Sequence, residues 1–251
     1  MRSKGDVLIS LVSREPISEE TGRLILDLFY NHYPMLTPQY ADYVEPINEP
    51  IPTVEEALKY WEGEGFYTRR SSLKGFSHPG TDIEKISHYK FKYTWHKKVE
   101  WFQLFKELIN LSHAYFGYVH LTTERESEAA EIGSAVDCFL GGTRGMYLKK
   151  GIPQLGWGTY FGEEYIKELD VPLLEKHGVS VEPWGQGYIF TVTDSIADVI
   201  NDYDAFHVRR KEVKKLFRPD LFQKYDRYNR TPSAWDKFRT PPPPFVEEDE
   251  D

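Results

Sequence analysis

The run Val7-Leu-Ile-Ser-Leu-Val12 is apolar except for Ser10 and rich in branched residues, the pattern of a strand buried on both faces. After a Pro-Ile-Ser break, Leu24, Ile25, Leu28 and Phe29 recur at helical spacing. Ser18 stands where that helix needs an N-cap, and Glu19 and Glu20 fill its first turn, where the helix dipole favours carboxylates. Pro34 and Pro38 end the helix and open a proline-punctuated loop over residues 34–52. Thr53-Val-Glu-Glu56 has the Thr-x-x-Glu form of a capping box and predicts a helix to Trp61. Residues 62–82, with glycines at 63, 65, 75 and 80, read as loop and short strand. Ile86–Trp95 alternates partially, as a strand does, and Val99, Phe102, Phe105, Leu108 and Ile109 mark the strongest helical face in the chain.

Further on, Tyr118–Thr122 predicts a strand and Glu124–Phe139 a helix. Met146–Leu148, Gly156–Phe161, Val179–Trp184 and Tyr188–Thr193 predict a meander, with Gly185-Gln-Gly187 as the last turn and a short helix inserted at Glu163–Leu169. Asp194 is placed to cap a final long helix from near Ser195. Strands and helices do not alternate regularly. The expected fold class is therefore α+β, a single domain with a mainly antiparallel sheet packed by helices, over residues 1–208. A basic helical extension over 209–239 and a Pro-rich acidic tail over 240–251, TPPPPFVEEDED, are expected to follow, the tail extended and solvated.

Composition adds limits. The 251 residues are 40% hydrophobic and 15% aromatic, enough for a sizeable core. Cys138 is the only cysteine, which excludes an internal disulfide and any zinc site built on two thiolates; its apolar neighbours suggest an inert buried thiol. The first apolar run is too short for a signal segment or a membrane span, so a cytoplasmic protein is expected. The net charge of -9 is divided unevenly: residues 1–208 hold 20 Lys/Arg against 31 Asp/Glu, and 209–240 hold 11 against 4. Such asymmetry suits an interaction surface as well as a solvated helix.

Signatures of chemistry are sparse. There is no G-x-S-x-G elbow, no G-x-G-x-x-G and no Walker-type loop; Gly141-Gly-Thr-Arg-Gly145 is read as a turn more readily than as an anion nest. None of the eight histidines is spaced as H-x-x-x-H, and His113 and His120 around AYFGYV read as core or interface residues. No metal or cofactor is expected. Asp194, Asp198 and Asp202 recur every four residues, predicting three carboxylates on one helical face: a solvated face, or a negative patch for a basic partner. The stretch Arg209–Arg218 followed by QKYDRYNR mixes cations with tyrosines, as single-stranded nucleic-acid binders do, yet the acidic body would repel a polyanion.

The stretch LGWGTYFGEEYIKEL, Leu155–Leu169, and its continuation through Gly185-Gln-Gly187 to Thr193-Asp194 resemble the immunity protein 52 family of bacterial polymorphic toxin systems. That family has a tryptophan-threonine-tyrosine stretch, a short helix and a glycine-containing hairpin. The likeness covers residues 153–200, and Gly158, between Trp157 and Thr159, departs from the pattern. It implies an antitoxin without catalysis of its own, which binds a cognate toxin delivered by a type VI or contact-dependent route, a nuclease of the restriction-endonuclease type. Gly156, Trp157, Thr159, Tyr160, Phe161 and Gly162 would be scaffold, with Trp157 and Tyr160 on opposite faces of a strand. Glu163, Glu164, Asp194, Asp198 and Asp202 would meet the toxin. An uncharacterised hydrolase and a single-stranded nucleic-acid binder are the alternatives.

Overall fold

The computed structural model describes residues 5–82, 85–123, 125, 151–152 and 154–222. Outside them lie the expected strand Met146–Leu148, all but Arg125 of the helix Glu124–Phe139, Cys138, the segment Gly141–Gly145 and the tail from residue 240.

The core is organised by strand β1, Asp6–Ser13, whose residues beyond Asp6 are all buried. Its backbone is paired along both edges: with β6 (Ser87–Thr94), from Asp6 opposite Thr94 to Ser13 opposite Ser87, and with β7 (Ala114–Thr122), from Asp6 opposite Thr122. Burial explains the nearly unbroken apolar run, since each enclosed Leu, Ile or Val stabilises by about 1.5–3 kcal/mol. Before β6 come helix α1 (Glu19–Asp27), continued by a wider turn over Leu28–His32, then β2 (Tyr40–Asp42), β3 (Glu49–Pro50), α2 (Val54–Leu58), β4 (Phe66–Arg69) and β5 (Gly75–Thr81). Helix α3 (Trp101–Leu111) joins β6 to β7. After β7 the described elements are β8 (Gly158–Phe161), a 3-10 helix (Glu163–Glu168), α4 (Val171–Lys176), β9 (Ser180–Trp184), β10 (Gly187–Thr191), α5 (Asp198–Asn201), α6 (Tyr203–Lys214) and a 3-10 turn (Pro219–Leu221). The strands form one sheet in the order β3-β2-β4-β5-β6-β1-β7-β8-β10-β9, with every neighbouring pair antiparallel. The fold is α+β, as expected.

Helices cover both faces. On one, Tyr89, Phe91 and Tyr93 of β6 meet Trp61 after α2 and Phe29 after α1, and a Cβ on Gly117 of β7 would press on Leu11 and Phe105 of α3. On the other, Phe161 of β8 meets Tyr165 of the 3-10 helix, Phe190 of β10 and Phe217 after α6, while Phe206 of α6 stacks on His120. At the β9 edge, Lys106 of α3 pairs with Glu182 at 2.6 Å and lies over the rings of Phe102 and Trp184, and the Trp184 indole donates to the Lys106 carbonyl at 3.0 Å.

Ser18 and Thr53 cap α1 and α2 through their side chains, as their positions predict. Elsewhere the structure departs from the sequence reading. The loop over 34–52 contains β2 and β3, which are too short to show periodicity. The final helix is divided at Asp202, whose non-helical backbone ends α5 and whose carboxylate caps α6 by accepting from the Ala205 N–H at 3.1 Å. Asp194 is therefore not its cap. The boundary expected after residue 208 falls within α6, and Arg210, Val213, Phe217, Leu221 and Phe222 are buried. Among the described residues no helix is long and apolar enough to cross a membrane.

Two predictions follow from this packing. Gly187→Ala places a Cβ 2.0 Å from the Phe161 carbonyl oxygen, in backbone that cannot yield without separating β8 from β10; urea unfolding should show a loss of about 3 kcal/mol. Burial pushes the Tyr89 hydroxyl up to about 12, and raises those of Tyr67, Tyr93 and Tyr165 as well. The folded protein therefore holds these protons when the unfolded chain, with tyrosines near about 10, releases them. Stability should be intact below about pH 10 and decline as the pH rises through 12, in step with phenolate absorbance; a flat denaturation midpoint over that interval would contradict the burial.

Candidate functional site

Where β1 ends, the chain leaves the sheet with Arg14 and Glu15 exposed, and β7 begins beside them after α3. The approach to β7 needs a sharp helix stop. His113, just past the α3 C-cap Ser112, supplies it in the left-handed region with φ 48°, a place usually taken by glycine. Its carbonyl accepts from the Ser13 hydroxyl at 3.1 Å, which ties the stop to the end of β1. Phe161 and the 3-10 helix lie at the same end, as does the Gly185-Gln186 turn between β9 and β10. Together these segments enclose a cleft of about 520 Å³, lined by Arg14, Glu15, Asn110, His113, Tyr160 and Glu163 among others.

One wall is a stack. Arg14 donates two hydrogen bonds to Glu164, one of 2.8 Å, and its guanidinium lies 5.1 Å from the centre of Tyr115, which in turn stacks on Tyr165. The hydrogen bond to Glu164 pushes Arg14 still further up from its ordinary value. The pair is partly solvated, so its net worth is within about 1 kcal/mol, and its main effect is to fix the wall and cancel the Glu164 charge. Opposite, burial raises the Tyr160 hydroxyl, against the opposing effect of a hydrogen bond from the Gln186 backbone. Glu15 and Glu163 are exposed at the rim and form no ion pair among the described residues. The cleft thus offers uncancelled carboxylates around an aromatic and amide floor, a setting that accepts a cationic side chain.

The five carboxylates expected to act together are divided. Glu163 and Glu164 follow Phe161, whereas Asp194 follows Thr191, which pairs with Gly158 at the opposite end of β8. Glu163 is exposed at the cleft, with no ion pair among the described residues, and Glu164 is committed to Arg14. Asp198 accepts from the Ser195 N–H at 3.2 Å and Asp202 caps α6, so Asp194, Asp198 and Asp202 do not share a helical face. Their spacing suggested one, but a spacing rule holds only while the helix continues.

The scaffold residues are buried, with one change in aspect. Trp157 precedes β8 instead of lying within it, so the alternation of a strand does not apply. Its ring packs edge-on against Phe102 of α3, and its indole donates to the Thr193 carbonyl at 3.0 Å. Tyr160 lies towards the same helix, since its hydroxyl and the Asn110 amide both flank Gly185. Gly156 and Gly162 allow close approach, as a Cβ would stand 2.9 Å from the Gly158 carbonyl oxygen and 2.8 Å from the Tyr115 backbone respectively. Thr159 is fully buried on the opposite face. There it ends a cross-strand row of His78, Lys90, Ser10 and Tyr118, a polar stripe that alternation did not reveal because the residues come from five strands.

Of the expected basic extension, residues 223–239, with QKYDRYNR, lie outside the described residues; Lys211 and Lys215 are exposed, and three arginines turn onto the body. Arg209 donates to the His177 carbonyl at 2.6 Å, Arg210 is buried over Phe206, and Arg218 pairs with Glu168 at 2.6 Å. Among the described residues no three His, Cys, Asp or Glu are grouped to hold a metal. Comparison with protein-family models, with curated proteins and with solved structures found no match for the chain.

Sequence reasoning missed Glu15 and Arg14. Their signal is local: two charged residues between a buried strand and a proline must sit at the rim of the sheet. The division of roles among the aspartates gives a direct check. Asp202→Ala should lower stability by about 1 kcal/mol through loss of the α6 cap, and Asp194→Ala should leave it within about 0.5 kcal/mol, as read by thermal unfolding.

Proposed function

We propose that this chain is an immunity protein, which binds a cognate secreted toxin and blocks it. The observation that carries the reading is the cleft at the end of β1, where Glu15 and Glu163 stand exposed on a frame held by the Arg14–Glu164 pair and the Tyr115–Tyr165 stack. The resemblance of residues 153–200 to the immunity protein 52 family supports it, since the same stretch supplies Tyr160, Glu163, Glu164 and the Gly185–Gly187 turn of that cleft. A nuclease must present cations to phosphate, and a rigid acidic cleft competes for those cations. The toxin that fits is a nuclease with a restriction-endonuclease-like domain, and the encounter takes place in the cytoplasm, where such a nuclease would meet its substrate. The protein needs no cofactor for this role, only a fixed shape and charge.

On this reading the gene immediately upstream encodes a large toxin, and the C-terminal domain of that product is the partner to use. Wild-type protein should bind it and protect cells that express it. Glu15→Lys with Glu163→Lys should slow association by about tenfold or more at low ionic strength, with the difference shrinking as salt is added. Asp194→Lys, at the other end of the sheet, should associate at the wild-type rate. Failure of the wild-type protein to bind that domain would sink the reading.

A further inference from the structure

We propose that the loop tip Tyr43–Val44, between β2 and β3, is an apolar anchor that docks into a basic surface of the protein partner, beside the cleft contact. The inference rests on the reading above and names a second, distinct part of the interface.

These two adjacent side chains are 48% and 67% exposed, whereas the other large apolar side chains among the described residues are mostly enclosed. The exposure is not the result of a loose loop. The Tyr43 hydroxyl donates to the Lys59 carbonyl at 2.7 Å, its ring packs on Tyr60 with centroids 5.2 Å apart, and its N–H donates to Asp42 at 2.8 Å. Gly63 makes room for the ring, because a Cβ there would stand 2.4 Å from it. On the far side, Arg70 lies over Tyr40 and donates to the Ile47 carbonyl and to the Asn48 side chain, while Ile47 itself is buried. The tip is thus ordered before any partner arrives, so docking it costs little side-chain entropy. A rigid tyrosine such as Tyr43 is of the type enriched among the residues that carry most of the energy of protein interfaces, and Val44 extends its apolar surface.

The surroundings choose the partner. Asp42, Glu45, Glu49, Glu62 and Glu64 flank the tip in sequence or through the Tyr60–Gly63 turn, against Lys59 and Arg70, and Arg70 is occupied within the loop. The charges of Glu49 and Asp42 are felt at the Tyr60 hydroxyl, which burial and these carboxylates raise. An apolar knob within a carboxylate ring complements an apolar socket within a basic surface. Position agrees with this. Four antiparallel steps separate β2 from β1, so the two strands run in the same direction and the tip points to the end of the sheet that bears the cleft. Four strand spacings are roughly 20 Å, within the footprint of a standard interface of about 800 Å² on each partner.

The test uses the full-length protein and the toxin domain that the proposed function expects from the gene immediately upstream. Val44→Lys, which removes an exposed side chain and repels cations, should raise the dissociation constant by at least about tenfold, chiefly through faster dissociation, with an unchanged melting temperature. Val208→Lys, at the exposed valine of α6, should bind as wild type does. A benzophenone amino acid at position 44 should cross-link to the toxin domain. If wild type binds while Val44→Lys binds equally and no cross-link forms, the anchor is wrong and the neutralising role stands. If wild type does not bind, both fall. Val44-dependent dimerisation by light scattering, with the cross-link joining two copies of this chain, would also overturn the proposal.

Discussion

A strand covered on both faces has no water to satisfy its backbone, so every N–H and C=O of β1 must find a partner in a neighbouring strand. That requirement fixes β6 and β7 in register on either side of it along nearly their whole length. The rest of the molecule is built outward from these three strands. The face with Ile9 and Leu11 receives α3 and the early helices, and the other receives the aromatic cluster of Phe161, Phe190 and Phe217. Because β1 is so constrained, the point where it ends is constrained too. Arg14 and Glu15 leave the sheet at a place determined by the core.

The cleft inherits its rigidity from that origin. A guanidinium held by Glu164 and supported by two stacked tyrosines is a fixed wall, and the left-handed turn at His113, tied to Ser13, fixes the chain that leads into it. Electrostatically, Arg14 removes one of three nearby carboxylate charges and leaves Glu15 and Glu163. The negative potential is thereby concentrated at the rim and not spread through the cavity. The aspartates near α5 and α6 serve the fold, with Asp198 and Asp202 spent on backbone N–H groups.

What could be read from the sequence was what the chain states locally. The buried run of β1, the Ser18 and Thr53 caps and the apolar face of α3 all depend on residues within a few positions of one another. The antiparallel hairpin of β9 and β10 was legible from Gly185 and Gly187 for the same reason. The break at Asp202 was not, because aspartate at every fourth position fits a continuous helix as well as it fits a cap. β2 and β3, of three and two residues, were too short to show a period, as was Asp170-Val-Pro, which opens α4. The row from His78 to Thr159 is invisible to any local rule, since sheet order brings it together. Of the expected site, Glu163 and Glu164 were legible from their place after Gly162, whereas their companions Arg14 and Glu15 lie about 150 residues away.

Both outer strands of the sheet carry a proline, Pro50 in β3 and Pro183 in β9, and β9 is further held down by the Lys106 clamp on Glu182 and Trp184. A proline has no N–H to offer, so neither border is a good template for an incoming strand. Recognition by strand addition relies on main-chain hydrogen bonds and tolerates many sequences. With that route discouraged, the side chains at the ends of the strands are the surface left for selective contact, where one wrong charge or one wrong shape suffices for rejection. The borders of the sheet thus confer selectivity by what they withhold.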